Sequence, residues 1–258
     1  MIVDSMTLEE IHRELHADVE NTGRTVVYRI EKFKSVVLKS RSFPVKRHYE
    51  CKSLEKKNRF FVQLTAFKRS EWKNPMMEYY CLYDRPEGIY CATINYKMGL
   101  TFVFPPHFFA RYRERVVRDT AISNVDLIHL FISRVWSIFL VHFPPDKADA
   151  IFSWDEAIKN DNLRIMGLCP DGIIFGERQD NVFIGKTIVT DNMLYEDQLD
   201  LYDLLFDEYI AALETIYPEK IVDHILDSQL DYAQPMSAAE QKRIDSFLKQ
   251  LDDMEADA

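Results

Sequence analysis

The sequence predicts an α+β protein with a central antiparallel sheet, flanking helices and a helical C-terminal region. Apolar residues recur at three- and four-residue spacing in two N-terminal stretches and again after residue 194. Between them, short runs rich in Val, Ile, Phe and Tyr alternate with Pro, Gly, Asp and Asn turns. With 47% hydrophobic residues, the 258-residue chain can bury a sizeable core. We expect three segments, at 1–104, 105–193 and 194–258.

The first segment begins with two predicted helices. Thr7 and Glu10 match a capping box, which predicts a helix from there to about Glu20. A basic amphipathic helix is expected from Arg24 to about Lys39, because its apolar positions keep a helical period. The strand-like runs that follow are interpreted as an antiparallel meander, at residues 60–67, 77–83, 88–96 and 100–104.

The second segment is predicted to contain two helices and four strands. Pro105 and Pro106 predict the start of a helix to about Arg118, since proline is tolerated in the first helical turn. Ser123 is expected to cap a second helix, which reaches roughly His142. The four predicted strands are residues 150–154, 163–168, 172–177 and 182–190. Beyond Leu194, the pattern predicts three helices separated by Pro218 and Pro235.

Charge is strongly segregated along the chain, whose net charge is −10. Residues 24–73 contain fifteen Lys or Arg against four Asp or Glu, a net of +11, whereas residues 191–258 contain four against eighteen, a net of −14. This asymmetry favours RNA or another polyanion as a partner of residues 24–73. The alternative is that the basic and acidic regions neutralise each other.

The sequence gives no indication of a membrane span, a secretory signal or a cofactor site. The longest apolar candidate, residues 127–143, is interrupted by polar and charged side chains, and the N-terminus turns acidic early, so a cytoplasmic location is expected. No glycine-rich phosphate loop occurs. Buried, reduced thiols are expected for the four cysteines, with a cross-strand disulfide or a metal site as alternatives: Cys51, Cys81, Cys91 and Cys169.

Two other pairs of residues could carry chemistry. His12 and His16 are spaced to share one helix face, a geometry that can hold a metal, but their charged neighbours favour a solvated face. Asp171 and Glu177 could form a carboxylate pair near the turns of the later strands, although turn chemistry also explains Asp171.

The segment after Pro106 places a histidine and arginines on one side of a helix. At about 100° per residue, His107, Arg111, Arg115 and Arg118 fall within about 80° of one another. The helix dipole disfavours a charged imidazole in the first turn, so His107 is expected to be neutral and able to accept a proton. When the 2′-hydroxyl of an RNA attacks the neighbouring phosphate, a base must take the hydroxyl proton and cationic groups must stabilise the charge on the phosphate. An ordinary amphipathic helix with solvated arginines is the structural alternative.

These residues carry a family resemblance. A helix that starts with His107, has Arg111 and Arg115 four and eight residues later, and precedes a strand reading Gly-Lys-Thr-Ile-Val-Thr at 185–190 resembles the barnase/EndoU/colicin/RelE-like nuclease superfamily. The similarity covers residues 105–190. It implies that the helix histidine and a strand Thr or Lys flank the scissile phosphate.

The leading hypothesis is a metal-independent endoribonuclease with no cofactor. His107 would be the general base, Arg111 and Arg115 would clamp the phosphate, and the supporting donors would be Lys186, Thr187 or Thr190. The alternative is a non-catalytic protein of mobile-element origin that binds nucleic acid or protein. In a third hypothesis, the C-terminal helices bind a protein partner in a structural or regulatory role.

Overall fold

The computed structural model describes residues 1–53, 55–95, 99–135, 138–141, 164–217 and Val222. The chain divides into two compact units, Met1–Val189 and Thr190–Ala258. The first unit contains one nine-stranded sheet with helices on both of its faces. The predicted α+β class with a mostly antiparallel sheet is therefore confirmed.

The first unit contains four α-helices within its described residues. They are α1 (Leu8–Asp18), α2 (Gly23–Lys39), α3 (Pro106–Tyr112) and α4 (Asn124–Arg134). The strands are β1 (Val45–Lys52), β2 (Arg59–Ala66), β3 (Met76–Arg85), β4 (Gly88–Asn95), β5 (Leu100–Phe104), β6 (Phe139–Val141), β7 (Arg164–Cys169), β8 (Gly172–Gln179) and β9 (Val182–Val189).

The strand order is β1-β2-β3-β4-β5-β9-β8-β7-β6. Neighbouring strands are antiparallel except β5 and β9, which run parallel with Thr101 opposite Val182. The predicted segments 1–104 and 105–193 therefore meet within a single sheet, because the last strand of the meander pairs with the last strand of the second group.

Two apolar cores lie on opposite faces of this sheet. On β2, Phe60 and Val62 pack with α1 and α2, whereas Phe61 packs with α3 and α4. The alternation follows from the two-residue period of a strand, which sends successive side chains to opposite faces. Each pair of amphipathic helices thus covers one face of the same sheet.

The local signals at the helix starts behave as the sequence predicts. Thr7 caps α1, and Glu10 completes the capping box. Pro105 is the N-cap of α3, with Pro106 at the first helical position. A π-helical turn, Arg113–Val117, continues α3, and Arg118 ends it with a left-handed φ of 54°. The predicted helix to about Arg118 is confirmed.

The structure differs from the prediction at one strand and at the end of one helix. Strand β1 was not predicted, because its alternating polar and charged residues look like a loop and it lies at the edge of the sheet. Helix α4 ends at Arg134 rather than near His142, and Phe139–Val141 form β6 against β7. The short apolar run after α4 is compatible with either a strand or a helix, so its pattern alone does not distinguish them. The predicted strand 150–154 lies outside the described residues.

The second unit contains one long described helix, α5 (Glu196–Ile216). Its buried residues Tyr202, Leu205, Tyr209 and Leu213 keep helical spacing. The helices predicted beyond Pro218 fall outside the described residues, apart from Val222. No helix in the described parts of either unit is long and apolar enough to cross a membrane.

Candidate functional site

Helix α3 packs against β9, and this contact brings the predicted site residues of the helix and the strand close together. The chain turns from β5 directly into α3, and β9 is the parallel neighbour of β5. Gly185 of β9 leaves room for the Phe104 side chain at the end of β5, since a Cβ at this position would lie 2.8 Å from Cδ1 of Phe104. We call His107, Arg111, Arg115, Lys186 and Thr187 the α3–β9 cluster.

Arg115 makes the direct connection between the helix and the strand. Its Nη1 donates to Oγ1 of Thr187 at 2.7 Å and to the carbonyl oxygen of Ile188 at 2.7 Å. Arg115 lies in the π-helical turn, where the wider winding changes the direction of the side chain relative to an α-helix. The guanidinium group is therefore oriented by β9 and is half-buried.

A β-bulge lies on the strand side of the cluster. Phe175 faces Thr187 and Gly176 faces Gly185, so Lys186 is an extra residue in β9. Such a bulge changes the direction of the side chains around it. The ammonium group of Lys186 forms an ion pair with Glu177 at 2.9 Å.

His107 lies exposed in the first turn of α3. Partial burial of the ring, followed by the positive charges of Lys186 and Arg111, lowers the pKa of His107 below its usual value of 6.5. A ring with a lowered pKa is neutral at physiological pH and can accept a proton. The structure therefore places His107 within the electrostatic reach of both cationic side chains.

Two of the predicted site residues have separate partners. Arg111 forms an exposed ion pair with Glu114 at 3.0 Å. Thr190 belongs to the second unit and donates to Oδ1 of Asn192 at 2.7 Å. Arg111 belongs to the cluster because its positive charge lowers the pKa of His107, so the cluster contains five of the six predicted residues.

Asp171 forms a buried ion pair with Arg134 and does not pair with Glu177. Nε of Arg134 donates to Asp171 at 2.8 Å, and Nη2 of the same guanidinium group donates as well. The Tyr112 hydroxyl donates to Oδ2 of Asp171 at 2.6 Å. The side chain of Asp171 is 1% exposed and that of Arg134 is 11% exposed. The β7–β8 turn is thus connected to α3 and α4, and the proposed carboxylate pair with Glu177 is wrong.

The remaining candidates from the sequence have structural roles. His12 is buried and hydrogen-bonds through Nδ1 to Thr101 at 2.8 Å, so the predicted solvated face is wrong for this residue. All four cysteines are free and buried, which confirms the expectation of reduced thiols. Among the described residues, no group of three or more His, Cys, Asp or Glu side chains could hold a metal ion.

A buried polar network that the sequence did not predict lies between β1–β3 and α4. The Tyr80 hydroxyl lies 2.8 Å from Nδ1 of His48 and 2.6 Å from Nδ1 of His129. Nε2 of His48 lies 2.7 Å from Oγ of Ser133. Alternating polar residues on β1 were the available signal, but they could be recognised only once β1 was known to be a strand.

The network makes a prediction for stability at acidic pH. Burial, with smaller contributions from His129 and Lys46, lowers the pKa of His48 from 6.5 to about 3. Between these values the unfolded chain binds a proton that the folded chain does not, so this stabilisation is complete above pH 6.5 and is lost as pH falls. We expect the contribution of His48 to the free energy of unfolding to fall by about 2 kcal/mol between about pH 6.5 and about pH 5.

Urea unfolding of wild type and His48→Gln at both pH values measures this contribution. The variant should be less stable at neutral pH, because it loses ring hydrogen bonds, and the difference in stability between the two proteins should shrink by about 2 kcal/mol from about pH 6.5 to about pH 5. An equal slope for the two proteins would contradict the assignment to His48.

Comparison of the chain with protein-family models, curated proteins and solved structures finds no match. The chemistry of the α3–β9 cluster must therefore be inferred from its residues. The cluster combines a neutral imidazole, two guanidinium groups, an ammonium group and a hydroxyl. These groups suit an anionic substrate that loses a proton during reaction.

Proposed function

We propose that the protein is a metal-independent endoribonuclease whose active site is the α3–β9 cluster. One observation carries the proposal: Arg115 is oriented by Thr187 and Ile188 of β9, while Lys186 from the same strand helps to lower the pKa of His107. An oriented cation beside a neutral base is the pairing that phosphodiester transfer requires. The resemblance to the toxin-type nuclease superfamily rests on the same residues.

The reaction we propose uses the 2′-hydroxyl of the substrate as nucleophile. His107 takes the 2′ proton, the 2′ oxygen forms a bond to phosphorus, and the bond from phosphorus to the 5′ oxygen breaks. The negative charge that develops on the phosphoryl oxygens is stabilised by Arg111 and Arg115. The ammonium group of Lys186 protonates the leaving 5′ oxygen, His107 then releases the 2′ proton to solvent, and Lys186 recovers a proton from solvent. The products are a 2′,3′-cyclic phosphate and a 5′-hydroxyl.

Cleavage of a mixed panel of RNAs in the presence of a chelator tests this mechanism. We expect cleavage to persist, because every proposed step uses protein side chains and the substrate's own hydroxyl. The matched control is the same RNA with a 2′-deoxy residue at the cut site, which should remain intact. Cleavage of this control, or loss of activity in the chelator, would contradict the mechanism.

A specific observation favours nucleic-acid binding as the second candidate function. On α2, the exposed ring of Tyr28 lies 4.6 Å from Nζ of Lys32. Lys34 is also on α2, and its Nζ lies 4.3 Å from the ring of Trp72. Aromatic rings beside lysines suit single-stranded nucleic acid, whose bases stack while its phosphates bind the cations. If the full chain retains RNA in a salt-sensitive manner through residues 24–73 but does not cleave it, this alternative is favoured.

A further inference from the structure

The polar network beneath α4 is a continuous chain of hydrogen bonds. It continues beyond Ser133, whose hydroxyl lies 2.9 Å from Oε1 of Gln63. Nε2 of Gln63 donates to Oε2 of Glu78 at 2.6 Å. The complete order is His129, Tyr80, His48, Ser133, Gln63 and Glu78.

The direction of this chain follows from counting protons. The Gln63 amide donates to Glu78, so its oxygen accepts the single hydroxyl proton of Ser133. Ser133 must then accept from Nε2–H of His48. A neutral His48 has its proton on Nε2 only, so its Nδ1 accepts from a neighbour.

The same argument fixes the outer end of the chain. Tyr80 donates its hydroxyl proton to His48, so its oxygen accepts from Nδ1–H of His129. Nε2 of a neutral His129 then offers a lone pair. Among the described residues, no hydrogen-bond partner is found for this nitrogen, and His129 is half-buried.

Protonation gives Glu78 a proton to donate, and when Glu78 donates it to Gln63 every bond in the chain reverses. The carboxylic acid donates to the oxygen of a rotated Gln63 amide, whose nitrogen then donates to Ser133. The hydroxyl of Ser133 donates to Nε2 of His48, and Nδ1–H of His48 donates to Tyr80. Tyr80 donates to Nδ1 of His129, whose own proton now lies on Nε2. The network gains one proton overall, on Glu78, and neither ring changes charge.

We propose that this network is a proton-controlled switch in an oxyanion-binding site, in which Glu78 determines whether Nε2 of His129 accepts or donates a hydrogen bond. The site is separate from the α3–β9 cluster and does not depend on RNA cleavage. With Glu78 ionised, His129 presents a lone pair, which repels an anion. With Glu78 protonated, His129 presents an N–H group, which binds one.

The side chains around His129 define the ligand class. The ring of Phe61 lies 5.1 Å from the ring of His129, and the guanidinium carbon of Arg59 lies 5.2 Å from the Phe61 ring centre. The side chain of Arg59 is 44% exposed, and its Nε lies 3.4 Å from Oε1 of Glu50. An incoming anion must displace the Glu50 carboxylate from this ion pair. Arg59 and His129 both lie near the Phe61 ring, and a guanidinium group together with an N–H donor suits a tetrahedral oxyanion with acceptor oxygens only, such as sulfate.

The charged groups around the hydrogen-bond network determine the pH range in which the switch operates. Burial raises the pKa of Glu78 to about 8, and the nearby Lys46 ammonium opposes the rise. Burial lowers the pKa of His129, so its ring remains neutral near pH 7. The titratable and charged groups facing the network are Lys46 and Glu50 from β1, Arg59 from β2, Glu78 from β3, Cys91 from β4, and Asp126 and Arg134 from α4.

Nitrogen-15 NMR of the full chain with labelled histidine reads the tautomers directly. In the wild type we expect His129 to carry its proton on Nδ1 at about pH 9 and on Nε2 at about pH 7, with His48 changing in the opposite sense. Sulfate should shift the His129 signals at the lower pH and have less effect at the higher pH. His129→Gln assigns the signals.

Tyr80→Phe separates a switch from a passive buried network, because phenylalanine keeps the packing and removes the connecting hydroxyl. In this variant His129 should keep one tautomer distribution at both pH values. Ser133→Ala interrupts the chain elsewhere and serves as the second variant if Tyr80→Phe does not fold. A single His129 tautomer throughout in wild type, or the same pH response in a folded interrupted variant, would overturn the switch. Absence of any sulfate response would overturn the oxyanion site.

Discussion

Replacing His107 with alanine is expected to lower the rate of RNA cleavage by about a hundredfold or more, the usual effect of removing a general base. The side chain is exposed at the start of α3 and lies outside the apolar core, so the variant should fold normally. Initial rates on a cleaved RNA, together with thermal melting of both proteins, measure the effect.

Arg115→Ala should lower cleavage by a similar factor, since it removes a cation that the proposed mechanism uses to stabilise the phosphoryl oxygens. Arg115→Lys keeps the charge but loses the paired geometry, so only partial recovery is expected. Arg13→Ala is the matched control, because Arg13 is an exposed arginine of α1 with a surface ion pair to Glu9. Equal rates for Arg115→Ala and Arg13→Ala would remove Arg115 from the site.

Asp171→Ala is expected to give the largest loss of stability, about 3–5 kcal/mol in the free energy of unfolding. The substitution removes the Asp171 carboxylate from the largely buried Arg134 guanidinium and removes the acceptor of the Tyr112 hydroxyl. Because Tyr112 and Arg134 belong to α3 and α4, the β7–β8 turn loses its Asp171 hydrogen bonds to both helices. Urea unfolding of the variant measures the loss.

Asp84→Ala provides the comparison for this experiment. Asp84 is an exposed residue of β3, and a surface substitution of this kind usually changes stability by less than about 0.5 kcal/mol. Similar losses for Asp171→Ala and Asp84→Ala would show that the buried ion pair contributes little to stability.

Much of the fold could be predicted from local signals in the sequence. The capping box of Thr7 and Glu10 and the prolines before His107 determine helix starts through neighbouring residues alone, and both are confirmed. The pairing of β5 with β9 connects residues about 80 apart in the chain, and no local pattern encodes it. The edge strand β1 was missed because its polar residues resemble those of a loop, and the contact of His48 with Ser133 of α4 joins residues 85 apart in the chain.

The candidate site was predictable in its residues but not in its contacts. Helical spacing placed His107, Arg111 and Arg115 on one side of α3. Regular helix and strand geometry predicts neither the π-helical turn at Arg113–Val117 nor the bulge at Lys186. These irregularities set the directions of Arg115 and of the neighbouring side chains of β9. Asp171 was recognised as a turn residue, but its ion pair with Arg134 was not predicted, because Arg134 lies 37 residues away in the chain.

The chemical nature of the RNA ends is the most direct test of the proposed activity. Mass spectrometry of the fragments released by the wild type should find 2′,3′-cyclic phosphate on one fragment and 5′-hydroxyl on the other, since the 2′ oxygen is the proposed nucleophile. His107→Ala should release neither product at a comparable rate. Fragments ending in a 3′-hydroxyl and a 5′-phosphate, or RNA that stays intact with the wild type, would contradict an active site at the α3–β9 cluster.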